Sequence, residues 1–184
     1  MRNFSGAAMR VKGLRQVYGE EQIQARVAEM AAEINALYDG EELVVVCVLK
    51  GAFIFCGDLT RRLQGPQVEM DFVRLASYGS SATSSRSVSF VKDVELSLAG
   101  KHVLVVEDIV DTGHSMDFLL RQFAARGAKS LRLAVMVDKQ ERREVPVHTD
   151  FTGFALSGGF IVGYGLDYAE RYRELPAIYE IIPE

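Results

Sequence analysis

Glu107, Asp108 and Asp111 crowd into five positions directly behind the apolar run "VLVV" (103 to 106), and Thr112, Gly113, His114 and Ser115 follow at once. The run reads as a buried strand, and a Thr-Gly turn ahead of a new apolar periodicity reads as a helix N-terminus. Free backbone N–H groups and the positive end of the helix dipole make such a start a ready phosphate seat, to which Thr112 and Ser115 would add hydroxyl donors. Carboxylates beside that seat repel an anionic ligand unless they meet a different part of it or a divalent cation intervenes. A sugar phosphate meets the condition. Its terminal phosphate would lie in the turn, its hydroxyls would donate to Glu107 and Asp108, and Mg²⁺ would bridge any further phosphates. The same carboxylates beneath a ribose ring would stabilise positive charge developing at the anomeric carbon.

A helix cap formed by Asp111 or Thr112 on a solvated acidic turn is the competing structural role. Three acids, an apolar strand and a Thr-Gly turn in one place favour a site instead. Other phosphate chemistries fit less well. An aspartyl-phosphate hydrolase wants its acids two positions apart, whereas Asp108 and Asp111 are three apart, and the Gly-Lys-Ser or Gly-Lys-Thr ending of a nucleotide P-loop is absent.

The elements that must hold these residues can be read around them. Ile23, Val27, Met30, Ile34 and Leu37 recur at steps of four and three up to Gly40, which predicts an amphipathic helix. "LVVVCVL" (43 to 49) is a continuous β-branched run suited to a strand covered on both faces, and a helix is expected over 53–63. After the acids, Met116, Leu119, Leu120 and Phe123 mark one face of a helix that ends near Gly127, and "LRLAVMV" (131 to 137) reads as the next buried strand. Strand, helix, strand with short connections predicts an α/β fold, an open parallel twisted sheet flanked by helices. In such sheets ligands lie beyond the carboxyl ends of the strands, which is where 107–112 falls. Between the crossovers, two strand-like arms flank a Ser- and Gly-rich tip at 77–87, predicted to be a mobile hairpin loop able to close over a ligand.

The whole chain sets bounds on function. Its 184 residues, 48% hydrophobic and 25% charged, suit a single domain spanning 1–184. A formal net charge of -4 supplies no broad basic surface for nucleic acid. Cys47 and Cys56 are too few for a metal knuckle or disulfide framework and read as two buried thiols in a reducing compartment. With no apolar run of secretory length at the start and none of about 18 residues to span a bilayer, the chain is expected to be cytoplasmic, with no membrane partner. His102 and His148 read as surface residues.

"VVEDIVDTG" resembles the phosphoribosyl pyrophosphate (PRPP) signature of type I phosphoribosyltransferases, and specifically of the hypoxanthine-guanine phosphoribosyltransferases. "VVCVLKGAFIFCGDL", "ASYGSS", "VMVDK" and "FIVGYGLDYAERYRELP" resemble the same family in the same order. The resemblance implies the type I fold with a small hood over the parallel sheet. It implies that Glu107 and Asp108 hold the ribose hydroxyls, directly or through Mg²⁺, and that Asp111, Thr112, Gly113, His114, Ser115 and Met116 wrap the 5'-phosphate. Asp111 would also face purine N7 as general acid/base, the one catalytic proton carrier.

By the same resemblance, Lys50 and Gly51 would offer backbone N–H groups to pyrophosphate across a cis Leu49–Lys50 peptide, with Arg173 as a further pyrophosphate ligand. Lys139, following its strand, would donate to the purine 6-oxo group. Phe160 would stack on the base, Ile161 would meet the base edge through its backbone, and Asp167 would lie at the base and bind a second Mg²⁺. Ser77 and Tyr78 would belong to the covering loop. His114 would act through its backbone alone. The implied activity is Mg²⁺-dependent purine salvage on hypoxanthine, and guanine, in a homodimer or homotetramer. Preference for guanine or xanthine stays open, because Lys139 would meet a 6-oxo group that all three bases share. A PRPP-sensing regulator that binds nucleic acid on the same fold is the alternative class. It would want a basic face, and would need neither the acid at Asp111 nor the Lys at 139.

Overall fold

The computed structural model describes residues 11–78 and 87–184. In chain order the elements are β1 (Val11–Tyr18), α1 (Glu20–Leu37), β2 (Glu42–Leu49), α2 (Phe53–Thr60), β3 (Gln67–Tyr78), β4 (Ser87–Lys92), β5 (His102–Val110), α3 (His114–Ala124), β6 (Ser130–Lys139), β7 (Phe151–Leu156), β8 (Ile161–Val162) and β9 (Ile178–Pro183). Six strands form the main sheet in the order β4-β3-β2-β5-β6-β7. All its pairs are parallel except β3 with β4, an antiparallel hairpin at the edge. From β2 the chain builds outward through β3 and β4, then returns to place β5 on the other side of β2. The order therefore reverses between β2 and β5, and a crevice opens there at the carboxyl ends of the strands.

Burial explains why the central strands read as unbroken apolar runs. Leu43, Val45 and Cys47 of β2 face the core under α1 and α2, while Val44, Val46 and Val48 face the core with α3. Each such side chain removed from water contributes about 1.5 to 3 kcal/mol. Ile23, Val27, Met30 and Ile34 of α1 are fully buried, as their spacing predicts. Leu37 departs from that expectation and is 46% exposed. The helix ends at Leu37, and the chain turns so that Tyr38 fills the place instead, with its ring edge-on to His102. α2 stops at Thr60 rather than at 63, because the chain tightens there. Arg62 N–H bonds Leu59 O at 2.9 Å and Leu63 N–H bonds Thr60 O at 3.1 Å, three-residue closures in place of helical ones.

Two strand ends differ from expectation in a way that matters for the site. β5 does not stop at residue 106. Its pairing with β2 ends at Cys47 with Val106, but its pairing with β6 continues to Val110 with Asp138, so Glu107 and Asp108 are strand residues. β6 likewise runs through Lys139, which is buried within the strand and does not follow it. His102 also corrects its surface reading. Its side chain is half-buried, with Nδ1 at 2.6 Å from Ser130 Oγ.

A second, three-stranded sheet, β1-β9-β8, joins the two ends of the described chain, with Leu14 opposite Ile181. It is the small hood. The β3–β4 hairpin has the expected arms, with Ser77 opposite Val88 and Tyr78 opposite Ser87. Residues 79–86, where most of the expected mobile tip falls, lie outside the described residues. No helix among the described residues is long and apolar enough to cross a membrane.

Candidate active site

The crevice between β2 and β5 is lined by backbone held at close range. Leu49–Lys50 is a cis peptide. A Cβ on Gly51 would run into the Asp108 carboxylate, and one on Gly165, whose φ is +97°, would run into Gly51 O. At Gly165 only glycine fits against that backbone oxygen, at Gly51 a side chain would have to push the Asp108 carboxylate aside, and the two glycines bring the end of β2 against both the acids of β5 and the loop after β8.

Glu107 is only 8% exposed, and Asp108 sits beside it at the mouth of the crevice. Their bonds are to their own backbone: Asp108 N–H donates to Glu107 Oε1 at 3.0 Å, and Ile109 N–H donates to Asp108 Oδ1 at 2.9 Å. Among the described residues, none of the ion pairs involves either carboxylate. Burial first, and the neighbouring Asp108 charge second, push the Glu107 carboxyl well above the usual carboxylate range. Beneath them Cys47 and Cys56 are buried free thiols. A hydrogen bond to Cys56 and burial hold the Cys47 thiol far above its ordinary range, which makes it inert. No group of three or more metal-binding side chains occurs among the described residues. Two adjacent carboxylates without a cation fit a hard divalent ion that takes its other ligands from water and substrate oxygens, as Mg²⁺ does.

The turn after β5 is fixed by its neighbours. Gly113 caps α3 with φ +92°, and a Cβ there would strike Val145 O and crowd Arg143 Cδ. Thr112 O accepts the N–H groups of Glu144 and Val145, each at 3.0 Å. The first-turn amides of His114, Ser115 and Met116 have no carbonyl of their own helix to bond. His114 turns its ring to Glu144, with Nε2 at 2.8 Å from Oε2, and Met116 sends its side chain into the core, so both face the turn with backbone. The Asp111 carboxylate is largely buried, with Oδ2 at 3.6 Å from Arg142 Nη1.

Lys139 stands one strand over, just beyond the last paired positions Val110 and Asp138. It is 8% exposed, and its ammonium lies 3.7 Å from Glu141. Glu107, Asp138 and Lys139 are three of the four buried charged residues in the described chain. The fourth, Asp71, is an ordinary structural acid, bonded by the N–H groups of Phe72, Glu95 and Leu96.

The remaining residues arrive on the loop between β8 and β9. Lys50 Nζ meets Glu170 at 3.0 Å, and Arg173 pairs with Glu170 at 3.1 Å and Asp167 at 2.8 Å. Lys50, Asp167 and Arg173 thus gather around one added carboxylate. Lys50, then Arg173, holds the Glu170 carboxyl below its ordinary range. Tyr164, Ala169, Glu170 and Tyr172 all have positive φ, a concentration of sparsely populated backbone typical of functional loops. Tyr164 OH anchors the loop to α2 by donating to Asp58 at 2.8 Å. Phe160 sets its ring edge-on to Tyr168 at 5.5 Å, and Ile161 pairs with Glu180 in the hood. Ser77 and Tyr78 stand at the end of β3, two strands from β5 in the sheet order.

Sequence reasoning missed Arg142, Arg143, Asp138 and Glu170. Two arginines three and four residues past a strand that ends level with β5 were the available signal for the first pair. Glu170 carried none, since its role depends on a loop conformation that periodicity does not encode.

Residues 14–169 match the phosphoribosyl transferase domain model. The chain is 42% identical over 165 residues to the hypoxanthine phosphoribosyltransferase of Salmonella typhimurium, covering 89% of this chain and 92% of that protein. It is equally similar to the bifunctional TilS/HprT protein of Listeria innocua, of whose length it spans 25%. A solved hypoxanthine-guanine phosphoribosyltransferase of Bacillus anthracis superposes with a TM-score of 0.86 at 40% identity, covering 95% of this chain and 100% of that one. With the match to the domain model, the fold and the glycine-walled crevice in agreement, the chain belongs to the phosphoribosyltransferases, within the hypoxanthine-guanine group.

Proposed function

We propose that this protein transfers the 5-phosphoribosyl group of PRPP to hypoxanthine, and to guanine, giving IMP or GMP and pyrophosphate with Mg²⁺ required. The observation that carries the reading is the Glu107–Asp108 pair, which among the described residues has no cationic partner, in the crevice where the strand order reverses. Buried carboxylates of this kind call for hydroxyl donors and positive charge, and a ribose that becomes cationic supplies both.

The amides of 112–116 would hold the 5'-phosphate. Binding energy gained there, far from the reacting carbon, can be used to orient the ribose over the acids. Departure of pyrophosphate would lead attack by the base. Lys50, the Gly51 amide and Arg173 would receive that group once Glu170 yields its place. Glu107 and Asp108 fit Mg²⁺ as oxygen ligands, with Asp167 as the candidate for a second ion, and the metal would neutralise charge on the leaving group. Lys139 would donate to O6 of the base, Asp111 would exchange a proton with N7, and Phe160 and Ile161 would flank the ring. Ser77 and Tyr78 would begin the segment that excludes water. Met70 and Phe72, apolar and exposed on β3, support assembly as a homodimer or homotetramer.

PRPP-dependent conversion measured across hypoxanthine, guanine, xanthine, adenine and uracil tests the reading. Turnover of the 6-oxopurines is expected, with hypoxanthine at least equal to guanine. Adenine turnover comparable to hypoxanthine would contradict the role of Lys139, because an ammonium donates and adenine offers a donor at that position.

A further inference from the structure

Arg143 lies four residues past the end of β6, beside a second arginine, in a stretch whose composition suggests solvent. Its side chain is nonetheless only 17% exposed. Nε donates to Asp111 O at 2.9 Å. Nη2 donates to Val110 O at 3.0 Å and Lys139 O at 3.3 Å, and pairs with the Asp138 carboxylate. One guanidinium therefore binds the last residues of β5 and of β6 together. The following residues continue the clamp, with Glu144 and Val145 N–H groups on Thr112 O, and the side chain passes so close to Gly113 that a Cβ there would crowd its Cδ. Arg142, by contrast, is mostly exposed, with its guanidinium 3.6 Å from the Asp111 carboxylate.

We infer that Arg143 is a positioning residue that holds Asp111 and Lys139 in one fixed relation, so that N7 and O6 of a purine are met at the same time. The inference rests on the proposed transfer to 6-oxopurines. Those two atoms lie on one edge of a rigid ring, and the groups that read them must keep their separation to within a fraction of an ångström. Parallel β5 and β6 are hydrogen-bonded up to Val110 and Asp138 but not beyond, so Asp111 lies past the end of β5, and Lys139 is held by pairing with Leu156 of β7 on its other side but by no ladder bond to β5. The guanidinium fork closes that gap. A lysine ammonium, a point charge on a flexible stem, cannot span the same acceptors.

The test compares Arg143→Ala and Arg143→Lys with the wild type in three measurements. These are kcat/KM for hypoxanthine, PRPP affinity in the binary complex, and amide exchange of residues 110–113 against that of β2. Arg143→Ala is expected to lose about 10² in kcat/KM. PRPP affinity is expected to change by no more than about threefold, since the turn's own amides remain. Exchange should quicken at 110–113 and stay slow in β2. Millimolar guanidinium ion should restore part of the activity to Arg143→Ala, and Arg143→Lys should recover little. A kcat/KM within about threefold of wild type would overturn the inference. So would equal losses of kcat/KM and PRPP affinity without rescue, the mark of general damage. A wild type that fails to turn over hypoxanthine would instead overturn the proposed function. The exchange measurement would still decide whether Arg143 holds the two strand ends.

Discussion

Strand β5 has polar clusters at both ends, and they are built on opposite terms. At its start, His102 is bonded to Ser130 Oγ at 2.6 Å and faces Glu41 at 3.4 Å. Glu41 also takes Lys129 at 3.1 Å, and Tyr38 OH lies 3.5 Å from Ser130 Oγ. Lys129, more than any other neighbour, holds the Glu41 carboxyl below its ordinary range. Every charge there is answered by the protein itself. At the far end, Glu107 is buried against Asp108, and its carboxyl is pushed up rather than down. A cluster of Ser, His and Glu and a cluster of acids look equally functional as residue types. What distinguishes a ligand site from a structural cluster is an electrostatic deficit that folding leaves in place.

The largest expected effect that could break this contrast is at Asp111. Asp111→Asn keeps the shape but removes the proton carrier, so kcat should fall by about 10² to 10⁴. PRPP affinity should shift by less than about tenfold, because the turn amides remain. Normal PRPP binding with near-full kcat would reduce Asp111 to a shaper of the turn. Gly51→Ala comes next. Its Cβ would displace the Asp108 carboxylate, and a displacement on the scale of an ångström costs about 10² in kcat/KM, with about 1 to 3 kcal/mol of stability lost to overpacking. Urea melts beside steady-state kinetics would measure both. The smallest effect belongs to the satisfied end. Ser130→Ala should cost about 1 kcal/mol of stability through the lost bond to His102 and leave turnover within about twofold. A large loss of turnover would mean that the two ends are coupled.

Much of this was legible in advance. The apolar runs of β2 and β6 announce a parallel sheet because both faces of those strands are covered, and the acids do lie toward the sheet's carboxyl end, although Glu107 and Asp108 are inside β5 and not behind it. The hood was legible only through the family resemblance. β1 pairs with β9, roughly the whole chain away in sequence, and neither strand can be recognised as half of a sheet from its own residues. Residue type alone predicts exposure for a lysine at position 139, while its burial comes from β6 continuing past the apolar stretch. Arg143 stayed hidden because its partners are mostly backbone carbonyls, which have no signature in sequence. Positive φ at Ala169, Glu170 and Tyr172 had no glycine to announce it.

The deficit at the far end of β5 is most directly tested by Glu107→Gln, followed by thermal melts of the ligand-free protein from pH 4 to pH 8 and by turnover. Glu107 has a folded-state pKa raised above its unfolded value, so its contribution to stability is fully present below the ordinary carboxylate range. That contribution is lost as pH rises through the raised value. The glutamine variant does not suffer this loss. Its advantage should be near zero at pH 4 and should grow as pH rises, read as a widening gap in Tm of about 2 to 4 °C for each kcal/mol. Turnover should meanwhile fall sharply. A variant that is more stable at neutral pH and catalytically crippled is the expected result. A variant destabilised by the same amount at every pH, or one that keeps full turnover, would contradict the claim that this buried carboxylate is held for a ligand.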